Sequence, residues 1–158
     1  MDKNFQIDNT DLKILSLLTQ DANMPYTEIA DKVNVSSGTV HVRMRKMTDL
    51  GIVTGAQITI NYAKLGWDVT AFLGIYLDKS SLYDEVVQKL AQISEVVSLN
   101  YTTGAYSIFA KILCKDTNHL REVLNDKIQK VGGIQRTETF ISLEETLCKP
   151  TFFGCGFH

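Results

Sequence analysis

Residues 36–51, SSGTVHVRMRKMTDLG, constrain this chain more than any other stretch, because both ends of a helix and its two faces are legible there. Ser36 can accept a hydrogen bond from an unpaired amide of the first turn, and Gly51 can take the left-handed conformation that ends a helix. At about 100° per residue, Val40, Met44 and Met47 share one side. Gly38, Val42, Arg45 and Asp49 share the opposite side, flanked by Thr39, His41, Arg43 and Lys46. The inner side is expected to pack and the outer side to meet a partner.

Two upstream segments complete the setting. Asp8–Gln20 carries Leu12, Ile14, Leu15, Leu17 and Leu18 at helical spacing, and Tyr26–Val33 is a short helix with Ile29, Ala30 and Val33 on one face. Asn34 and Val35 then connect tightly into Ser36. Two helices joined by so short a turn, the second opening on small polar residues, form a helix-turn-helix, a motif that lays its second helix in the major groove of double-stranded DNA. Ser36, Ser37, Gly38 and Thr39 let the helix start approach phosphates, and His41, Arg43, Arg45 and Lys46 supply cationic and donor groups. An apolar Val42 among them suits contact with a thymine methyl. The formal net charge of −2 is no nucleic-acid signature, and residues 1–55 hold six basic against seven acidic side chains. DNA affinity must therefore come from the placement of charge.

Length and composition narrow the remaining classes. At 158 residues with 44% hydrophobic content, the chain can hold one ordinary domain or two small ones. No apolar run reaches the ~18 residues that span a bilayer, and the acidic, amphipathic first twenty residues are unlike a signal peptide, so a cytoplasmic protein is expected. Cys114, Cys148 and Cys155 are too few and odd in number for a disulfide framework. Cys148, Cys155 and His158 lack a paired CxxC element and a fourth ligand, so no metal is expected. His41 belongs to the basic helix, and His119 is expected to be solvent-exposed early in a later helix.

After Gly51 the pattern changes. Gln57–Ile60 is a short β-prone run, read with the turn-like 61–66 as a wing and linker over 56–67. Ala71–Leu77 then reads as a strand, Leu82–Ile93 as a helix, Val96–Tyr101 as a strand, Thr102–Gly104 as a hairpin turn, and Tyr106–Cys114 as an alternating strand. Asn118–Val131 is a helix and Ile134–Leu143 a last strand. That order, βαββαβ, is a ferredoxin-like split βαβ pair with both helices on one face of an antiparallel sheet. The fold class is α+β: a winged helix-turn-helix over 1–55, the linker, a βαββαβ module over 68–146 and a tail over 147–158. Phe72, Tyr76, Phe109 and Phe140 would lie on the uncovered face, which favours pairing with a second copy. Phe152, Phe153 and Phe157 of the tail are expected to pack on a neighbouring subunit.

With GTVHVRMRKM, GIVTG, YTTGAYSIFAK and IQRTET in this order, the chain resembles the Lrp/AsnC family of feast-or-famine transcription regulators over about residues 5–145, closest to its AsnC branch. The resemblance implies an amino-acid-sensing and assembly module, dimers closing into an octamer, and an effector held where dimers meet. In the hairpin, Gly104 would let backbone amides approach a carboxylate, Tyr101, Thr102 and Thr103 would bring hydroxyls, and Tyr106 would wall the pocket. Thr137 and Thr139 point to one face of the last strand and Glu138 to the other. Many relatives carry an acidic residue where Ser107 stands, so ammonium recognition would fall to backbone carbonyls or Glu138. The neutral, hydroxyl-rich pocket suits a carboxamide, which Gln129 could pair as donor and acceptor, and asparagine or another small amino acid is the expected effector. No catalytic residue and no cofactor beyond that effector is expected. Two alternatives stay open. One is a haem-pathway decarboxylase-like relative, although no nucleophile–base set is evident. The other is a ligand-free architectural DNA protein.

Overall fold

The computed structural model describes residues 7–151. Of these, residues 7–59 together with 147–151 form one unit, and Ile60–Thr146 forms the other.

In the first unit, α1 (Asn9–Gln20) starts at a capping box, in which the side chain of Asp8 accepts from the amide of Asp11 while that of Asp11 accepts from the amide of Asp8. Helix α2 (Tyr26–Val33) ends at Asn34, whose left-handed backbone (φ 64°) makes the tight turn. Helix α3 (Ser37–Asp49) begins at Ser36, whose hydroxyl accepts from the amide of Thr39, and Gly51 follows it at φ 73°. Ile14, Ile29, Ala30, Val40 and Met47 are buried together at the centre of the three helices. Gln57–Ile60, expected as a wing strand, forms none: the segment runs past Gly55 to a 3₁₀ turn at Tyr62–Leu65, with Ile58 88% exposed. β-propensity alone does not make a strand; a ladder partner does, and among the described residues of this chain the segment has none.

The second unit follows the βαββαβ order. Strands β1 (Val69–Leu77), β2 (Val96–Tyr101), β3 (Ile108–Cys114) and β4 (Ile134–Ile141) form one antiparallel sheet in the order β2-β3-β1-β4. Helix α4 (Tyr83–Leu90) follows a 3₁₀ turn at Ser80–Leu82, and α5 (Thr117–Glu122) continues into a π-helical segment, Val123–Ile128. Ala71, Leu73 and Ile75 of β1 and Ile108, Ala110, Ile112 and Cys114 of β3 are buried with Val86, Leu90, Leu120, Val123 and Ile128 of the helices. Strand β3 begins two residues later than the alternation suggests, because 102–107 is a loop: the amide of Thr102 donates to the carbonyl of Ser107, and the amide of Ser107 donates to that of Ile75. The last strand likewise stops at Ile141, and Leu143 is fully exposed.

His119 departs from the expectation of a solvated residue. Its Nδ1 accepts from the amide of Lys115, so the proton of the neutral ring sits on Nε2 and is donated to the buried carboxylate of Glu95 at 3.1 Å. Lys127 donates to both oxygens of Glu95 at 2.7 and 2.8 Å. In an unbroken α-helix, residues eight apart diverge by about 80°. The wider π segment between them turns Lys127 back to the side of His119, so both reach one carboxylate. Burial alone would raise the Glu95 pKa; the bonds from Lys127, from the backbone, from His119 and from Ser94 overcome it and hold the group at about 2.

Because the folded value lies below the unfolded one, this carboxylate stabilises the fold fully above the ordinary carboxylate range and loses that contribution as pH falls toward 2. Glu95→Gln should lower stability at neutral pH by about 2 kcal/mol, after allowance for the partly exposed Lys127. Urea unfolding at pH 7 and pH 3 checks it, since the gap between parent and variant should narrow at the lower pH.

Candidate functional site

On α3 the inner stripe, Val40 and Met47, is buried, and Gly38, His41, Val42, Arg45 and Asp49 are exposed. Val42 is 70% exposed, between the exposed His41 and the Arg43 flank. Arg45 stands clear, with no hydrogen-bond or ion-pair partner among the described residues. His41 packs edge-on against the ring of Tyr26 at 4.5 Å, which fixes the imidazole on the surface. Ser36 is engaged at the helix start, its hydroxyl 2.8 Å from that of Thr39; Ser37 is half-buried behind it. A depression of about 680 Å³ beside this face is lined by Asp8, Ser36, Gly38, Thr39, Val42, Arg43 and Lys46.

Arg43 lies on the flank of α3 and is engaged by the start of α1. Its guanidinium lies 2.8 Å from each oxygen of Asp8 and 2.9 Å from Asp11, and Lys46 is 3.4 Å from the other oxygen of Asp11. Asp11 is fully buried, whereas Arg43 is 26% exposed. The bond from Arg43 holds the Asp8 carboxyl below the usual carboxylate range, and Asp8 in turn raises the pKa of the guanidinium. The sequence shows the cation and both acids but not that they meet, since they stand 32 and 35 residues apart.

In the second unit the residues expected to hold a ligand fall into separate groups. The loop is stiffened by Thr102, whose hydroxyl donates to the carbonyl of Tyr106 at 2.9 Å. Thr103 and Gly104 are exposed at its tip, and Gly104 has φ 97° with no atom near the position of a β-carbon. Tyr101 is 70% exposed and leans on Tyr83, with ring centres 4.4 Å apart. Ser107 is tied to β1 through its amide. Gln129 is exposed just after the π segment.

Thr137 and Thr139 lie in register opposite Ile75 and Leu73, on the face that carries the helices. Glu138 lies opposite Gly74 on the other face, where Tyr106 donates to it at 2.6 Å and Tyr76 at 3.2 Å. The structure thus brings Tyr106 and Glu138 together and leaves the two threonines on the opposite side of the sheet. Arg136 sits over the Tyr76 ring at 4.0 Å, and Phe72 stacks on Phe109 at 5.9 Å.

Gly74 makes this arrangement possible, because the ring of Tyr106 occupies the space of its missing side chain: a β-carbon there would lie 2.5 Å from the ring. Gly74, Tyr76 and Arg136 are the members that sequence reading did not assign to the site. A glycine at the centre of a strand pattern was the available signal, since it often marks a close approach.

The tail aromatics Phe152, Phe153 and Phe157, and Cys155 and His158 of the rejected metal set, lie outside the described residues. No helix among the described residues is long and apolar enough to cross a membrane.

A capped three-helix reader followed by a split βαβ module is the plan of a DNA-binding regulator with a ligand-binding domain. Residues 7–54 match the winged helix-turn-helix DNA-binding family, and residues 70–152 match the Lrp/AsnC ligand binding domain. The chain is 46% identical over 143 residues to the regulatory protein AsnC of Haemophilus influenzae, covering 90% of this chain and 95% of that protein. It is 43% identical over 147 residues to the regulatory protein AsnC of Escherichia coli K12, covering 93% of this chain and 97% of the relative. The structure of E. coli AsnC superposes with a TM-score of 0.88 at 41% identity, over 93% of this chain and 99% of that one. A Neisseria meningitidis regulator, NMB0573, solved as an L-Met complex, shares the fold with a TM-score of 0.85 at 20% identity, over 90% of this chain and 94% of its own. The chain belongs to the Lrp/AsnC family and is an AsnC-like transcriptional regulator. The AsnC relatives are named as regulatory proteins, not as enzymes.

The bond to Glu138, with burial and the carboxylate's charge behind it, pushes the Tyr106 phenol up to about 12. In an alkaline absorbance titration, Glu138→Gln should return one phenol toward the ordinary value of about 10. Gly74→Ala should do the same by dislodging the ring. A titration curve unchanged in both variants would remove the Tyr106–Glu138 pair from solution.

Proposed function

We propose that the protein is a cytoplasmic, amino-acid-responsive transcription regulator that reads double-stranded DNA with α3 and senses asparagine or another small amino acid with the loop after β2. The observation that carries the first half is the outward strip of Gly38, Val42 and Arg45, with Thr39 and His41 beside it. Ser36 and Ser37 bring the helix start to the phosphates, Arg45 and Lys46 supply charge, and Val42 supplies an apolar contact for a thymine methyl. In this reading residues 1–55 bind DNA, 56–67 link, 68–146 sense and assemble, and 147–158 form a tail.

The sensing reading rests on the open, glycine-tipped loop. An amino acid presents a carboxylate that backbone amides near Gly104 can receive, with the exposed Thr103 beside them and Tyr101 and Thr102 at the base of the loop. Ser107 brings no charge of its own to the loop, and the Glu138 carboxylate is already met by Tyr106 and Tyr76, which suits a carboxamide more than a second charge. Gln129, Thr137, Glu138 and Thr139 complete the candidate set. The L-Met complex of the Neisseria protein supports an amino acid as the ligand class without naming this chain's ligand. The aromatic face of Phe72, Phe109 and Phe140 supports a homodimer, and the family pattern supports closure of dimers into an octamer.

A thermal-shift screen with the twenty amino acids should single out asparagine or a small polar relative, because a ligand of the folded state raises the midpoint by mass action. Its presence should change DNA affinity roughly 5- to 150-fold in a gel-shift assay with the upstream region of the protein's own gene. Gly104→Leu should abolish the shift and spare DNA binding. A preference for leucine or methionine, or a full response in Gly104→Leu, would overturn the assignment of this loop to a small polar effector.

A further inference from the structure

Helix α3 has two supports. Along its inner side Val40 and Met47 are buried in the three-helix core; along its flank Arg43 reaches the first turn of α1. Apolar burial holds the helices together but is non-directional, so a short ion pair on the flank adds a restraint on roll about the helix axis that burial does not itself supply. Side-chain tips lie roughly 5–6 Å from that axis, so a 15° roll carries a base-reading atom about 1.5 Å. That is enough to break a hydrogen bond.

The contact from Arg43 is a short tether shared by both acids of the capping box. One nitrogen of the guanidinium lies 2.8 Å from both oxygens of Asp8 and 2.9 Å from an oxygen of Asp11. Those carboxylates already bond each other's amides as the capping box of α1. Asp11 is fully buried, so a departure of Arg43 toward a phosphate would weaken the compensation of a charge that cannot reach water. Arg45, two residues on, is exposed and carries no such tie.

We propose that Arg43 is a positioning residue, one that clamps the Asp8–Asp11 capping box and so sets the roll of α3 on the DNA, leaving the phosphates to Arg45 and its exposed neighbours. This rests on the reading of α3 as the DNA-contact helix. It makes a demand opposite to simple electrostatics. Asp8 lines the depression beside the reading face, so removing its charge should strengthen DNA binding if only the field matters. If Arg43 positions the helix, removing that charge should weaken binding.

The test measures affinity for a duplex of the upstream region of the protein's own gene across a salt series, for the full chain and four variants. Asp8→Asn keeps a competent helix cap and loses only the charge. It should bind about 3- to 10-fold more weakly with the salt slope unchanged. Arg43→Ala should behave alike, and Arg43→Lys, which keeps a cation within reach of the carboxylates, should recover part of the loss. Arg45→Ala should lower the slope, by about 1.8 if each chain of a dimer gives up one phosphate contact.

A slope reduced by about 1.8 in Arg43→Ala, or tighter binding by Asp8→Asn, would overturn the proposal. Loss of slope in Arg45→Ala alone upholds the DNA-contact reading whatever Arg43 does, whereas an Arg45→Ala protein that binds with unchanged affinity and slope removes that reading itself. Circular dichroism melts establish that each variant is folded at the assay temperature. Should Arg43→Ala fail to fold, Asp8→Asn and Arg43→Lys carry the test.

Discussion

A carboxylate removed from water has to be met by donors, and the best-defined parts of this protein are arranged around carboxylates that satisfy that demand. Buried Asp11 is met by Arg43 and Lys46 and buried Glu95 by Lys127 and His119, while the partly exposed Glu138 is met by Tyr106 and Tyr76. Each set joins elements that are distant in sequence: α1 to α3, the start of β2 to α5 and its π segment, and β4 to β1 and the loop before β3. Apolar burial brings these elements together without direction. The carboxylates supply direction, because an ion that loses its partners in a low-dielectric setting is far more costly than a slightly displaced leucine. The seat of the Tyr106 ring and the tie between α1 and α3 are both places where such a contact adds direction to burial.

How much of this was legible in the sequence follows the range of the interaction concerned. Helix α3 was readable to its ends because Ser36 and Gly51 act on their own neighbours, and β2 because its strand and the helix before it are local patterns. The strand boundary at Ile108 was not, because Ser107 is held by the carbonyl of Ile75, a residue of another strand. The missing wing strand shows the same limit from the other side, since Gln57–Ile60 has the composition of a strand but no ladder partner among the described residues of its own chain. The role of His119 was hidden because no local pattern reveals the buried Glu95, twenty-four residues earlier. Arg43 was read as an outward cation from its place on a helical wheel, and a wheel cannot show that the first turn of α1 brings two acids to it.

The candidate ligand set carries a geometric tension of its own. Antiparallel register puts Thr137 and Thr139 on the face of Ile75 and Leu73, and puts Glu138 on the face of Gly74. The loop 102–107 joins the edge strand β2 to its neighbour β3 at one end of the sheet, so within one chain a small molecule resting on that loop meets one of these faces at a time. If the proposed residues all serve one effector, the remainder must come from another copy of the chain. A site completed by a second copy couples ligand to assembly without any further device, since each binding event then adds to the free energy of the interface. The aromatic surface of Phe72, Phe109 and Phe140 gives a second copy a reason to be present, and the Tyr106–Glu138 pair over Gly74 sets a polar, angle-dependent element within that apolar surface. A surface so composed rewards one alignment over others, because a misplaced partner would bury the carboxylate away from its phenols.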